Sequence, residues 1–305
     1  MHKSFIWNNS KKEKAMFLTV FTPTYNRAYT LGKLYQSLCV QTDKDFEWLI
    51  VDDGSLDDTK VLVAEWIKEG KVKIRYIYQE NAGKQAAHNL GVEKAQGELF
   101  ICVDSDDYLS KTAVSILKQK WQEVENDCIG ILAYKVLTTG KFTTKLADKE
   151  IRKTTLKKGY DRYGLTGDTA LIFKSEILKK HNFPIFPGEK FIPEGYLYDR
   201  LDQEGPLWIV REGIYVCEYL ADGYTANIKK MLYYNPQGYF AYIEQRLKID
   251  KGIKAKFLDS IRYMAMAIAH KKKRKIKDAV YPFWAIMAYF PGWIMYRKGY
   301  RRYQK

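Results

Sequence analysis

The stretch ELFICVDSDDYL, Glu98 to Leu109, runs from an apolar segment directly into three carboxylates, Asp104, Asp106 and Asp107. A short, continuous apolar run bounded by polar residues reads as a strand buried on both faces. Its polar end is then a strand's carboxyl terminus, the place where open α/β sheets bind their ligands. Like charges packed this closely disfavour one another's ionisation, so the cluster implies a cation that offsets them.

Working outward, three more runs of the same kind precede it: FLTVFTP (17–23), FEWLIVDD (46–53) and KIRYIYQ (73–79). The segments between them have helical spacing. Leu31, Leu34 and Leu38 share one face, as do Val61, Ala64 and Ile67, and Asp57 and Asp58 suit a helix N-terminus. The pattern predicts a βαβαβαβ half of a Rossmann-like α/β fold, with a mostly parallel sheet covered by helices on both faces. Each strand ends in a polar cluster, PTYNR (23–27), DDGS (52–55), QENAGK (79–84) and DSDD (104–107), so four strand ends are expected to face one crevice.

Beyond Leu109 the pattern loosens. It predicts a helix over 111–124, a strand around CIGILAYKV (128–136), a basic, Thr-rich stretch (138–158) and a helical turn at SEILKK (175–180). The loop HNFPIFPGEKFIPEGYLYDRL (181–201) ends in a further helical turn, and helices follow over 239–249 and 253–269. There is no internal repeat. The four cysteines show neither zinc-knuckle nor redox spacing, which suggests a reducing compartment, and the N-terminus lacks the apolar stretch of an export signal. The net charge of +15 is uneven: residues 251–305 carry 15 Lys/Arg against two acidic residues, so +13 of it lies there.

No GxGxxG or P-loop pattern follows the first strand, so glycine-loop amides are not what would neutralise a nucleotide's phosphates. A divalent cation, Mn²⁺ or Mg²⁺, held by DSDD would do so. The competing role for such residues is helix capping, the reading preferred for Asp107. At DDGSLDDT, Gly54 and Asp57 suit a turn and cap, whereas Asp53 is placed to accept from a base N–H or a ribose hydroxyl.

Taken in order, PTYNR, VDDGSLDDT, ENAGKQAAHNLGVEKAQGE and VDSDD resemble family 2 of the glycosyltransferases, inverting nucleotide-sugar enzymes of the GT-A fold. The likeness is strong over about 17–109, weak to about 225, and absent beyond. It implies that Pro23 and Tyr25 flank the base, that Asp53 reads the uracil ring, and that Asn81 and Lys84 contact uridine and phosphates. It also implies a DxD pair in which Asp104 lies nearer the ribose and Asp106 ligates the metal. His88 stands where the family usually has Arg, which implies a weaker, pH-sensitive phosphate contact. Inverting transfer needs one positioned base. The family's acidic motif maps onto FIPEGYLYDRL, which makes Glu194 the expected catalytic base, with Gly195 where the family has Asp. YLADGYTAN (219–227) matches a segment placed to close over the donor, or forms a plain strand–turn.

The resemblance divides the chain into an extension (1–15), a nucleotide-sugar-binding half (16–109), an acceptor-binding half (110–225) and a helical, basic, aromatic C-terminal segment (226–305). It implies a hexosyl- or N-acetylhexosaminyltransferase with a UDP-sugar donor and a saccharide acceptor, lipid-linked as in cell-surface polysaccharide or capsule synthesis. Within the tail, Ala279 to Tyr296 is free of charge but is broken by Pro282 and Pro291 and flanked by Lys/Arg on both sides. Residues 271–305 are therefore expected to lie on an anionic membrane surface at its cytoplasmic face and not to span it. For this tail, the alternatives are a helix docked on the catalytic domain through its aromatics, or a contact with single-stranded nucleic acid, which basic residues among aromatics also suit; DSDD would repel a phosphate backbone, and no nucleic-acid partner is expected. For the function, a nucleotidyltransferase or a non-catalytic glycan- or nucleic-acid-binding protein remain the alternatives.

Overall fold

The computed structural model describes residues 16–217, 224–250, 252–270 and 276–304. The first hundred residues form β1 (Met16–Thr24), α1 (Ala28–Cys39), β2 (Phe46–Asp52), α2 (Thr59–Glu69), β3 (Ile74–Tyr78), α3 (Lys84–Lys94) and β4 (Gly97–Cys102). Side-chain alternation along these strands sorts residues between two cores. Trp48 and Ile50 of β2, with Leu99 and Ile101 of β4, pack under α1 and α2 on one face. Leu49, Val51 and Phe100 point to the other face, with Ala87 and Val92 of α3.

The second half adds β5 (Tyr108–Leu109), α4 (Ala113–Trp121), β6 (Gly130–Leu137), β7 (Lys153–Thr154), α5 (Leu156–Arg162), β8 (Thr169–Lys174), α6 (Ser175–Leu178), α7 (Gly195–Glu204) and β9 (Leu207–Cys217). All nine strands join one sheet in the order β3-β2-β1-β4-β8-β6-β9-β5, with β7 on β9. The four strands of the first half pair in parallel. β8 runs antiparallel to both β4 and β6, while β6 and β9 are parallel. Strand order reverses between β1 and β4, and that switch point opens the crevice.

Four strands, β5, β7, β8 and β9, went unread in the sequence. β9 is interrupted by Arg211-Glu212-Gly213, where its register against β6 shifts, so its apolar alternation breaks in the middle. The stretch 138–158 contains β7 and the start of α5. Asp107 is a correction: β5 follows it and the next helix begins only at Ala113, so it caps no helix and is a buried residue of the crevice wall.

The remaining helices are α8 (Tyr224–Tyr234), α9 (Pro236–Ile249), α10 (Ile253–Ala269), α11 (Pro282–Met287) and α12 (Tyr289–Gly299). YLADGYTAN lies mainly outside the described residues, and its last four residues open α8. These helices build a third core around Phe240, Ile243, Tyr263 and Met264. α12 approaches α10 at Gly292, where a β-carbon would sit 2.7 Å from the Met264 β-carbon. Ala285, Ala288 and Tyr300 are buried in the same contact. The opposite stripe, Phe283, Ile286, Met287, Phe290 and Trp293, is exposed, Phe283 at 66% and Phe290 at 67%. No helix among the described residues is long and apolar enough to cross a membrane.

Candidate active site

Three strand-end loops are clasped together by short polar contacts. Asn26, the one described non-glycine residue with positive φ (52°), donates its amide to Ser55 Oγ and accepts from the Leu56 amide, both at 2.8 Å. Gly54 (φ 86°) leaves no room for a side chain, since a β-carbon there would lie 2.8 Å from the Asn81 amide nitrogen. Asp53 is buried. Its Oδ1 accepts from Gln79 Nε2 at 2.7 Å and the Ala82 amide at 2.8 Å, and its Oδ2 from the Gly83 amide at 2.8 Å. Three of about four acceptor sites on that carboxylate are thus spent on shaping the loop that carries Asn81 and Lys84. Asp53 thereby holds that loop and keeps acceptor capacity for one further donor.

The same loop meets the segment before α7. At Gly83 (φ 97°) a β-carbon would come within 2.3 Å of the Lys190 carbonyl oxygen, so only glycine permits the approach. Gln85 Nε2 donates to the Ile192 carbonyl at 2.8 Å, and the Asn89 amide bonds both backbone groups of Phe183 at 2.8 and 2.9 Å. This stitching brings a carboxylate from 110 residues downstream to the strand ends. Lys84 Nζ lies 2.7 Å from Asp104 Oδ1 and 2.9 Å from Glu194 Oε1.

The electrostatics follow from that triad. Burial alone would raise the Asp104 carboxyl, but Lys84 and then Lys135 overrule it and hold it below the usual range. For Asp106, burial followed by the Asp104 charge outweighs the Arg27 and Lys84 charges and pushes it up. Burial works against the Lys84 charge, yet Asp104 and Glu194 keep it firmly protonated. Sequence reading passed over three neighbours: Arg27, whose charge reaches Asp104 and Asp106; Lys135, 3.8 Å above the Tyr215 ring; and Tyr215, whose hydroxyl accepts from the Asp104 amide at 3.1 Å. Arg27 sits inside the PTYNR motif, a legible signal, whereas Lys135 and Tyr215 depend on how β6 and β9 pair.

His88 is a correction. Its ring packs edge-on against Phe21, Phe100 and Phe183, with centroids 5.4–5.7 Å apart, and burial lowers it to about 4. It is neutral near pH 7 and offers no positive charge to a phosphate. Pro23 is buried within β1 opposite Val51, while Tyr25 is 45% exposed beside the crevice. Gly195 also has a physical reason: a β-carbon there would lie 2.8 Å from the Tyr242 hydroxyl of α9, so the C-terminal helices occupy the space an Asp would need. Gln245 extends the join, accepting from Arg200 Nε at 2.8 Å and donating to the Tyr196 carbonyl at 2.7 Å.

Among the described residues no three acidic, His or Cys side chains form a complete metal cage. Asp104 and Asp106 do fit Mn²⁺ or Mg²⁺, which take one or two carboxylates and fill the remaining positions with water and phosphate oxygens. Burial first and the Asp104 charge second raise Asp106, and a cation between the two carboxylates would offset both.

Comparison with known proteins identifies the family and the fold. Uncharacterised glycosyltransferases of Rickettsia conorii (36% identity over 126 residues, 41% of this chain) and Rickettsia felis (34% over 154, 46% of this chain) are similar, and the matches span only 20% and 25% of those proteins. A Campylobacter jejuni GalNAc(5)-diNAcBac-PP-undecaprenol β-1,3-glucosyltransferase is 28% identical over 278 residues, covering 87% of this chain and 85% of that protein. The crystal structure of Staphylococcus aureus TarS 1–349 superposes with a TM-score of 0.61 at 19% identity, over 95% of this chain and 92% of that one, which establishes a common fold. The profile of Glycosyl transferase family 2 matches residues 19–180, more than half of the sequence and including every strand-end motif of the crevice. On these grounds the chain belongs to glycosyltransferase family 2.

Proposed function

We propose that this protein transfers a sugar, with inversion, from a UDP-sugar to an acceptor hydroxyl, with Mn²⁺ or Mg²⁺ on Asp106 and Asp104. The observation that carries the reading is the Lys84 bridge, which holds the DxD carboxylate and Glu194 within one ammonium's reach. Displacement at an anomeric carbon needs a base for the attacking hydroxyl and charge stabilisation for the departing diphosphate. Glu194 is 45% exposed and accepts the acceptor's proton as the new glycosidic bond forms. Lys84 and Arg27, whose charges act on Asp104 and Asp106, would meet developing negative charge on the diphosphate. The bound cation supplies further charge neutralisation as a Lewis acid. Tyr25 stacks on the uracil ring, and Asn81 and the remaining acceptor capacity of Asp53 line its edge.

The acceptor is a lipid-linked saccharide, in keeping with the undecaprenol-linked glycan in the Campylobacter relative's name. The α11–α12 stripe supports this, because Phe283, Ile286, Met287, Phe290 and Trp293 lie exposed near Arg297, Lys298, Arg301 and Arg302. An apolar stripe with basic neighbours suits the interface of an anionic bilayer, where each Lys/Arg adds about 1 kcal/mol. In this reading the enzyme is peripheral at the cytoplasmic face. The decisive experiment follows thermal stability with UDP and Mn²⁺, separately and together, then release of UDP from a panel of UDP-sugars. Metal-dependent stabilisation by UDP is expected; its absence would refute the donor assignment.

A further inference from the structure

The Lys84 bridge has a consequence of its own. Asp104 and Glu194 are asked to do different things, one to serve a metal–diphosphate and the other to accept a proton, yet a single ammonium sits 2.7 Å from the first and 2.9 Å from the second. While it stays there, Asp104 Oδ1 is committed to Lys84 instead of to a divalent cation. Glu194 Oε1 faces an N–H donor in place of an acceptor's O–H. Each contact uses one oxygen of a carboxylate that the metal–diphosphate or the acceptor hydroxyl would also address, so those ligands compete with the ammonium for the same atoms.

The surroundings make an exchange feasible. Lys84 opens α3, directly after Gly83, on a flexible four-carbon stem, and its ammonium is a compact point charge with three rotatable donors. Arg27 and Lys135 also act on Asp104, so its environment keeps positive charge when Lys84 leaves. Resting on the donor and metal reading above, we infer that Lys84 is a placeholder cation. It occupies the carboxylates until metal and nucleotide diphosphate arrive together, then moves onto the diphosphate. That move opens Asp104 to the metal site and Glu194 to the acceptor.

The inference predicts a thermodynamic coupling readable without turnover. Mn²⁺ binding, followed by electron paramagnetic resonance, and UDP binding, followed by calorimetry, are measured on the full chain for wild type, Lys84→Met and Lys84→Arg. Wild type binds Mn²⁺ weakly alone, and UDP tightens it by about 5- to 150-fold, the usual range for coupled sites. Lys84→Met should bind Mn²⁺ alone about tenfold more tightly than wild type, bind UDP·Mn²⁺ less tightly, and lose most of the coupling. Lys84→Arg, which keeps the charge, should retain weak Mn²⁺ binding when UDP is absent. Should Lys84→Met be unstable with EDTA, restoration of its melting temperature by Mn²⁺ alone supports the placeholder role. Unchanged or weaker Mn²⁺ affinity in Lys84→Met, or failure of Mn²⁺ to rescue it, overturns the inference. Wild type that binds no UDP in the presence of Mn²⁺ instead defeats the donor reading, so the two failures are distinct.

Discussion

The strand-end crevice and the α11–α12 elbow leave polar and apolar groups uncovered for opposite reasons. In the crevice, carboxylates are gathered against their own repulsion and held by loops whose hydrogen bonds fix individual atoms. At the elbow, packing settles one helix face through Ala285, Ala288 and Gly292 and leaves the other as an apolar surface with basic neighbours. The first arrangement specifies a ligand of defined shape and charge. The second specifies only a direction and an area. Changes in the crevice should therefore act steeply, through single atoms, and changes at the elbow should act by degrees.

The largest effect is expected at Glu194. Glu194→Gln keeps the volume and a hydrogen-bond acceptor for Lys84 but cannot take a proton, so turnover should fall by about 10²- to 10⁴-fold. UDP binding in the presence of Mn²⁺ should remain. Near-normal turnover would move the base elsewhere and remove the sharpest contrast between the two regions. Asp106→Ala comes next: the extra stability that saturating UDP confers with Mn²⁺, about 2.7 kcal/mol at a hundred times the Kd, should disappear from the thermal unfolding curve. Persistence of that stabilisation would show that the metal is held without Asp106.

The elbow should respond more gently. Phe290→Ser is expected to weaken binding to anionic vesicles about tenfold, because a fully buried Phe contributes about 1.5–3 kcal/mol and an interfacial one less. Transfer to a soluble acceptor should be unchanged. If vesicle binding is untouched, or if soluble turnover falls in parallel, the elbow is no membrane surface but a working part of the crevice.

The contrast also explains what was legible in the sequence. β1, β2 and β4 are buried on both faces, β3 is a half-buried edge strand, and all four end in motif residues, so their type, order and crevice could be read directly from residues 17–109. The second half depends on pairings between distant segments. β9 is hidden by the bulge at Arg211–Gly213, and with it Tyr215 as the partner of the Asp104 amide. A family motif suggests Glu194 as the base, but its contact with Lys84 rests on the Gly83–Lys190 approach and on Gln85 and Asn89, which no local pattern announces. His88 misled because its position in a motif says nothing of the three aromatic rings that tertiary packing gathers around it.

The smallest expected effect sets one titrating group in each region against the other. His88, behind the crevice, has its value lowered by burial to about 4, below the ordinary 6.5. Its contribution is fully present above pH 6.5 and is lost as pH falls toward 4. Asp199 lies on α7 at the join with α9, its Oδ2 3.6 Å from Arg246, and burial, only partly countered by that Arg, raises it to about 6. Its contribution is fully present below the ordinary carboxyl value and is lost as pH rises through 6. Between pH 8 and 5.5 the crevice thus loses stability while the join gains it, each by about 1 kcal/mol, so wild type should change little. His88→Phe should then gain stability on acidification relative to wild type, and Asp199→Asn should lose it. Each difference should be about 2 °C in melting temperature for a chain of this size. Variants that both follow the wild-type pH profile would show that neither group's protonation is linked to folding.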